Sequence, residues 1–136
     1  MNKPQALNAF WELFGWDAYD ENFVPKSAEM PYITYNSATD AIGSVLNLSG
    51  SLWCRAQKIE ENKNETIYSS GWPEIEAKTA EIADVLPAYG YYIHPVDGGY
   101  MWIQRGRPFA QRKGDPDDPG IRRMIINIQV EFLTAT

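Results

Sequence analysis

The most constraining feature of this chain is the segment from Ile121 to Thr134. Met124, Ile126, Ile128, Val130 and Phe132 alternate there without a break, and Arg123, Asn127, Gln129 and Glu131 occupy the other parity. A period of two places the two sets on opposite faces of a β-strand. At ~3.3 Å per residue the segment is long for a strand. Such a strand requires a sheet around it and a layer to bury its apolar face. A second alternation runs from Ser44 to Arg55, with Leu46, Leu48, Leu52 and Cys54 on the core parity. Asn47, Ser49, Ser51, Trp53 and Arg55 share the other. Gly50 falls on the apolar face, where it marks a bulge or close packing beneath a helix.

Two helices supply the covering. Between Pro4 and Phe14, Leu7, Phe10, Trp11 and Phe14 recur at three- and four-residue spacing, and Gly15 stops the run. From Gly71 to Leu86, Pro73 suits the first turn, Glu74 and Glu76 complement the positive end of the helix dipole, and Ile75, Thr79, Ile82 and Leu86 form one stripe. Pro87 ends it. Pro31–Asn36 reads as a strand, as do Tyr91–His94 and Tyr100–Gln104, which the Asp97-Gly98-Gly99 signal joins in a hairpin. Residues Trp16 to Glu29 read as an irregular connection. Gln57 to Ser70 reads as an exposed loop rather than a short surface helix. Gly106 to Gly120, rich in proline and glycine, reads as a fifteen-residue loop, a length usually reserved for function. The order α-β-β-α-β-β-β predicts a single α+β domain over residues 1–136. It has two layers, a mainly antiparallel sheet with helices packed on one face.

Composition narrows function. One cysteine, Cys54, forms no internal disulfide, and one histidine, His94, leaves little for metal or acid–base chemistry. Cys54 reads as a small hydrophobe, and His94 as structural or exposed. No stretch approaches the ~18–20 apolar residues of a membrane span, and no signal-peptide pattern opens the sequence. Asp115-Pro116-Asp117-Asp118-Pro119-Gly120 lacks the spacing of a calcium loop, with Met124 and Ile126 where its glutamate should fall, and reads as a solvated turn. Glu74, Glu76, Glu81 and Asp84 read as a solvent face. No glycine-rich phosphate loop is present. The sequence therefore predicts neither enzyme, cofactor nor metal.

Charge is unevenly divided. Residues 1–104 hold six basic against fourteen acidic side chains, a balance of −8, and residues 105–136 hold six against four, a balance of +2. The six cations of the second part are Arg105, Arg107, Arg112, Lys113, Arg122 and Arg123. They fit three roles: docking on the acidic body of a neighbouring copy, contact with nucleic acid, or simple solvation. The chain also carries five tryptophans, too many to bury fully. Trp53, on the polar parity, is a candidate for an interface.

Met101-Trp102-Ile103-Gln104-Arg105-Gly106-Arg107-Pro108-Phe109-Ala110-Gln111-Arg112, followed by the Asp-rich turn and the alternating Ile121–Leu133 segment, resembles the tail-terminator and tail-completion proteins of tailed phages and prophages of Gram-positive bacteria. The resemblance is best over residues 88–134. It implies a non-enzymatic virion protein of the tail or neck, assembled in the bacterial cytoplasm. In that setting the chain forms a ring, typically of six copies, that caps the tail tube and joins it to the head connector. DNA passes only as cargo through the lumen. Under this implication Arg105, Arg107, Phe109, Gln111, Arg112, Lys113, Arg122, Arg123 and Trp53 are the expected contacts to a neighbouring copy or the tube. Another neck or completion ring protein is the first alternative, and a nucleic-acid-binding module using the basic loop the second.

Overall fold

A computed structural model describes residues 1–38, 45–56, 58–61, 66–68, 70–115 and 117–135. In chain order its elements are α1 (Lys3–Glu12), β1 (Asp17–Asp20), β2 (Tyr32–Tyr35), β3 (Val45–Arg55), β4 (Lys58–Glu61), β5 (Thr66–Tyr68), α2 (Trp72–Val85), β6 (Tyr92–Val96), β7 (Gly99–Gly114) and β8 (Ile121–Thr134). The fold is α+β: a curled six-stranded sheet, ordered β1-β2-β3-β8-β7-β6, with two helices. The long alternating segment, β8, lies at the centre between β3 and β7. Every pairing in this sheet is antiparallel except β1 with β2, which run parallel.

The predicted core parity of β8 is the buried one. Ile126, Ile128, Val130 and Phe132 are essentially inaccessible, and Met124 nearly so. Leu48, Leu52 and Cys54 of β3 and Met101 and Ile103 of β7 join them in one cluster with Leu7, Phe10 and Trp11 of α1 and Ile75, Ile82 and Leu86. Helix α1 begins at a capping box, in which Asn2 accepts from the Gln5 amide and Gln5 answers to the Asn2 amide. The anomaly at Gly50 has its cause here: a Cβ at that position would lie 2.6 Å from Cη2 of Trp11, so the indole rests directly on bare backbone.

Three segments depart from expectation. Asp17–Asp20, inside the expected irregular connection, forms β1, which pairs with β2 in a register that sets Tyr19 beside Thr34. Its two terminal aspartates conceal it, because only Ala18 is buried. The expected loop at 57–70 contains a separate two-stranded sheet of β4 and β5, with residues 57, 62–65 and 69 outside the described residues.

The expected long loop at 106–120 is largely strand. β7 continues to Gly114, and only a short turn precedes β8. A bulge makes this possible. Arg105 pairs with Ile128 and Ala110 with Ile126, so residues 106–109 stand opposite Asn127 alone. Pro108, which has no N–H to give a ladder, sits inside the bulge, where none is needed. Gly106 crosses Asn127 so closely that a Cβ would meet its backbone at 2.8 Å.

Candidate interaction surface

Facing α2, four of the expected contact residues, Arg105, Phe109, Arg112 and Arg122, are engaged within the chain. Arg105 donates from Nε to the Leu86 carbonyl and from a terminal nitrogen to that of Ala83, each at 2.7 Å. Its guanidinium also lies over the Phe109 ring, 4.9 Å from the centroid. This satisfies carbonyls at the helix end, where the dipole favours a cation. At the other end of α2, Arg112 and Arg122 both stack on Trp72, at 4.6 and 5.9 Å. Arg112 pairs with Glu76, and Arg122 donates to the Ser70 carbonyl at 2.8 Å. Phe109, half-buried, packs against the core. These residues clamp a helix onto the sheet.

The opposite face of the sheet is different. None of its side chains enters the buried hydrophobic cluster, and Ser51 is its one buried residue among those described. Register sorts the face into rungs. At one end Leu133 pairs with Tyr100, and the next rung runs Val45, Glu131, Trp102, Ile93. Tyr91 closes on Trp102 with ring centroids 4.8 Å apart. Tyr100 is 54% exposed and Ile93 49%, high for such side chains. The adjacent rung is Asn47, Gln129, Gln104, joined in a relay: Gln104 donates to Gln129 at 2.7 Å and Gln129 to Asn47 at 3.3 Å.

At the far end Tyr32, Trp53, Arg123 and Lys113 form one rung. Arg123 stacks on Trp53 at 4.6 Å and donates to the Ser51 hydroxyl at 3.0 Å, and the Trp53 indole donates to Thr34 at 2.8 Å. Of the expected contact residues, Trp53, Gln111, Lys113 and Arg123 thus lie on the open face, and Arg107 is exposed on the bulge. Neither Arg107 nor Lys113 has an ionic partner among the described residues.

Between the amide rung and the bulge lies a cleft of about 740 Å³, lined chiefly by Asn47, Ser49, Gln104, Arg107, Asn127 and Gln129. No local sequence signal marks it, because its floor is assembled by register across three strands. Elsewhere, titratable chemistry is muted. Cys54 is buried and donates to a Glu74 carboxylate oxygen at 3.0 Å; burial, reinforced by that contact, pushes its thiol up to about 12. Such a thiol is a poor nucleophile. Among the described residues His94 bonds only to the Pro95 carbonyl, at 2.8 Å. Asp118 is held below the usual carboxylate range by its bond to Arg55, and Asp115 accepts from the amides of Asp117 and Asp118 as an ordinary turn. The described residues hold no cluster of metal-ligating side chains and no helix long and apolar enough to cross a membrane. Comparison of the chain with family models, curated proteins and solved structures returns no match.

Proposed function

We propose that this chain is a non-enzymatic assembly subunit that associates with copies of itself into a ring. Its setting is the tail or neck of a tailed phage, where it caps the tail tube and joins it to the head connector. The observation that carries self-association is the apolar end of the open face, where Tyr91, Ile93, Tyr100 and Leu133 are exposed around a half-buried Trp102 and no other described residue covers them. Contiguous exposed aromatic and aliphatic side chains mark contact surfaces. The phage setting rests on the sequence resemblance, and with it come two layers with helices on one face, the terminator role and the number of copies.

Charge supports a head-to-tail contact. Lys113 and Arg123 stand directly opposite each other on the open face, an arrangement that costs a few tenths of a kcal/mol until an anion approaches. The acidic remainder of a second copy supplies that anion, and a contact between unlike surfaces closes into a ring when the rotation permits.

The test is sedimentation velocity and negative-stain imaging of the purified protein, alone and with tail tubes. Rings or tube-end caps are expected, and the pair Ile93→Lys, Tyr100→Lys should abolish them while leaving the circular dichroism spectrum intact. A wild-type protein that stays monomeric and leaves tube ends bare refutes the reading.

A further inference from the structure

We infer that the cleft beside the β7 bulge is a binding site for an acidic sugar, a polyhydroxylated ring bearing a carboxylate or a phosphate. The inference does not rest on self-assembly: it is argued from the lining of the cleft alone. The cleft, about 740 Å³, lies within the range of small-ligand sites.

Its floor is built from carboxamides, which both donate and accept. The relay from Gln104 through Gln129 to Asn47 fixes their orientation, and among the described residues Gln104 Oε1 is left as an open acceptor and Asn47 Nδ2 as an open donor. Asn127 commits Nδ2 to the Pro108 carbonyl at 2.8 Å and so presents Oδ1. These groups sit on neighbouring strands ~4.8 Å apart, a spacing on the scale of a hexose ring. Ring hydroxyls, each donor and acceptor, match this alternation; an apolar ligand would leave it unsatisfied.

The charge preference follows from the lining. No carboxylate contributes to the cleft of a chain that carries eighteen acidic residues, and Arg107 stands at it without an ionic partner among the described residues. A guanidinium recognises carboxylate and phosphate alike through paired N–H groups. Ala88, Pro108 and Phe109 complete the lining with carbon surface, suited to the C–H face of a sugar.

Titration of ¹⁵N-labelled protein, following the side-chain amide signals, tests this directly. The probes are digalacturonate, glucose 1-phosphate, neutral cellobiose and an acidic hexapeptide. At least one acidic sugar should shift the Gln104 and Gln129 amide signals saturably in the millimolar range, at least tenfold more tightly than cellobiose. Which of the two saturates assigns the carboxylate or the phosphate source. Arg107→Gln should weaken the acidic probe at least fivefold and leave cellobiose unchanged. Gln129→Leu, with backbone spectra confirming its fold, should remove the response to the sugars. Absence of any shift at 20 mM sugar, equal binding by Arg107→Gln, or preferential saturation by the peptide overturns the proposal.

Discussion

Substituting Gly50 by alanine tests how helix α1 is held to the sheet. A Cβ at position 50 would lie 2.6 Å from Cη2 of Trp11 and 2.8 Å from Cζ2 and Cζ3. Carbon atoms in contact prefer ~3.5–4.0 Å, so the indole must retreat by about 1 Å. It has nowhere to go. Trp11 is fully buried, with Phe10 edge-on at 5.0 Å and Tyr35 stacked at 6.3 Å. Overpacking of this kind costs about 1–3 kcal/mol. The opposing effect is smaller: Gly50 does not have positive φ, so alanine restricts the unfolded chain and stabilises by about 0.4–1 kcal/mol. The net expectation is a loss of roughly 1–2 kcal/mol by urea denaturation with unchanged slope. Trp11→Phe on its own loses packing but removes an indole N–H that is buried without a partner among the described residues. Combined with Gly50→Ala it should cost less than the two single losses together, with a coupling of at least about 1 kcal/mol. A Gly50→Ala protein as stable as wild type, or strict additivity in the cycle, refutes the account of this contact.

Four substitutions separate structural from surface roles. Arg105→Leu should destabilise by about 2–4 kcal/mol, because two bonds from a charged donor to helix-end carbonyls are lost, whereas Arg107→Gln should stay within about 0.5 kcal/mol of wild type; equal effects in a denaturant series contradict the clamp. Gly106→Ala should cost about 1–3 kcal/mol, since the new methyl meets the Asn127 backbone, which cannot give way as a side-chain tip could; hydrogen exchange at the bulge amides should rise with it. Finally, the Cys54 thiol is raised to about 12 in the fold from an ordinary value near 9, so its contribution is complete below pH 9 and declines as pH rises toward 12. Cys54→Val should flatten that part of the stability–pH curve, and an identical slope in the two proteins counts against a protonated, buried thiol.

Local patterns made the central strand and both helices legible. β8 shows because its apolar side chains keep period two over its whole length, and α2 because Pro73 and the Ile75, Ile82, Leu86 spacing agree. Gly50 was readable as a place of close packing, although the residue above it was not. β1 escaped because it is four residues long with an aspartate at each end, and its stability comes from a parallel neighbour. β7 escaped beyond Arg105 because arginine, glycine and proline carry a loop signature locally, while the ladder that makes them a strand is supplied by β8, a partner distant in composition rather than in sequence.

The same bulge explains why charge counting located the right segment but not its contacts. Arg105 and Arg112 are seven residues apart, an odd number, so a regular strand would point them to opposite faces. Between Arg105 and Ala110 β7 advances five residues while β8 advances two, from Ile128 to Ile126, an excess of three. An odd excess inverts parity. Arg105 and Arg112 therefore come to the same face, at the two ends of α2, and with Arg122 they spend their charge inside the fold. Lys113 is turned to the open face beside Arg123, and Arg107 is left at the mouth of the cleft. Deleting three of residues 106–109 should therefore leave a regular ladder in which Arg112 still stands opposite Met124 and keeps its contacts with Glu76 and Trp72. A charge balance of +2 over residues 105–136 thus resolves into a helix clamp, an Arg123 stacked on Trp53, and Arg107 and Lys113, which have no ionic partner among the described residues, a division that only the register decides.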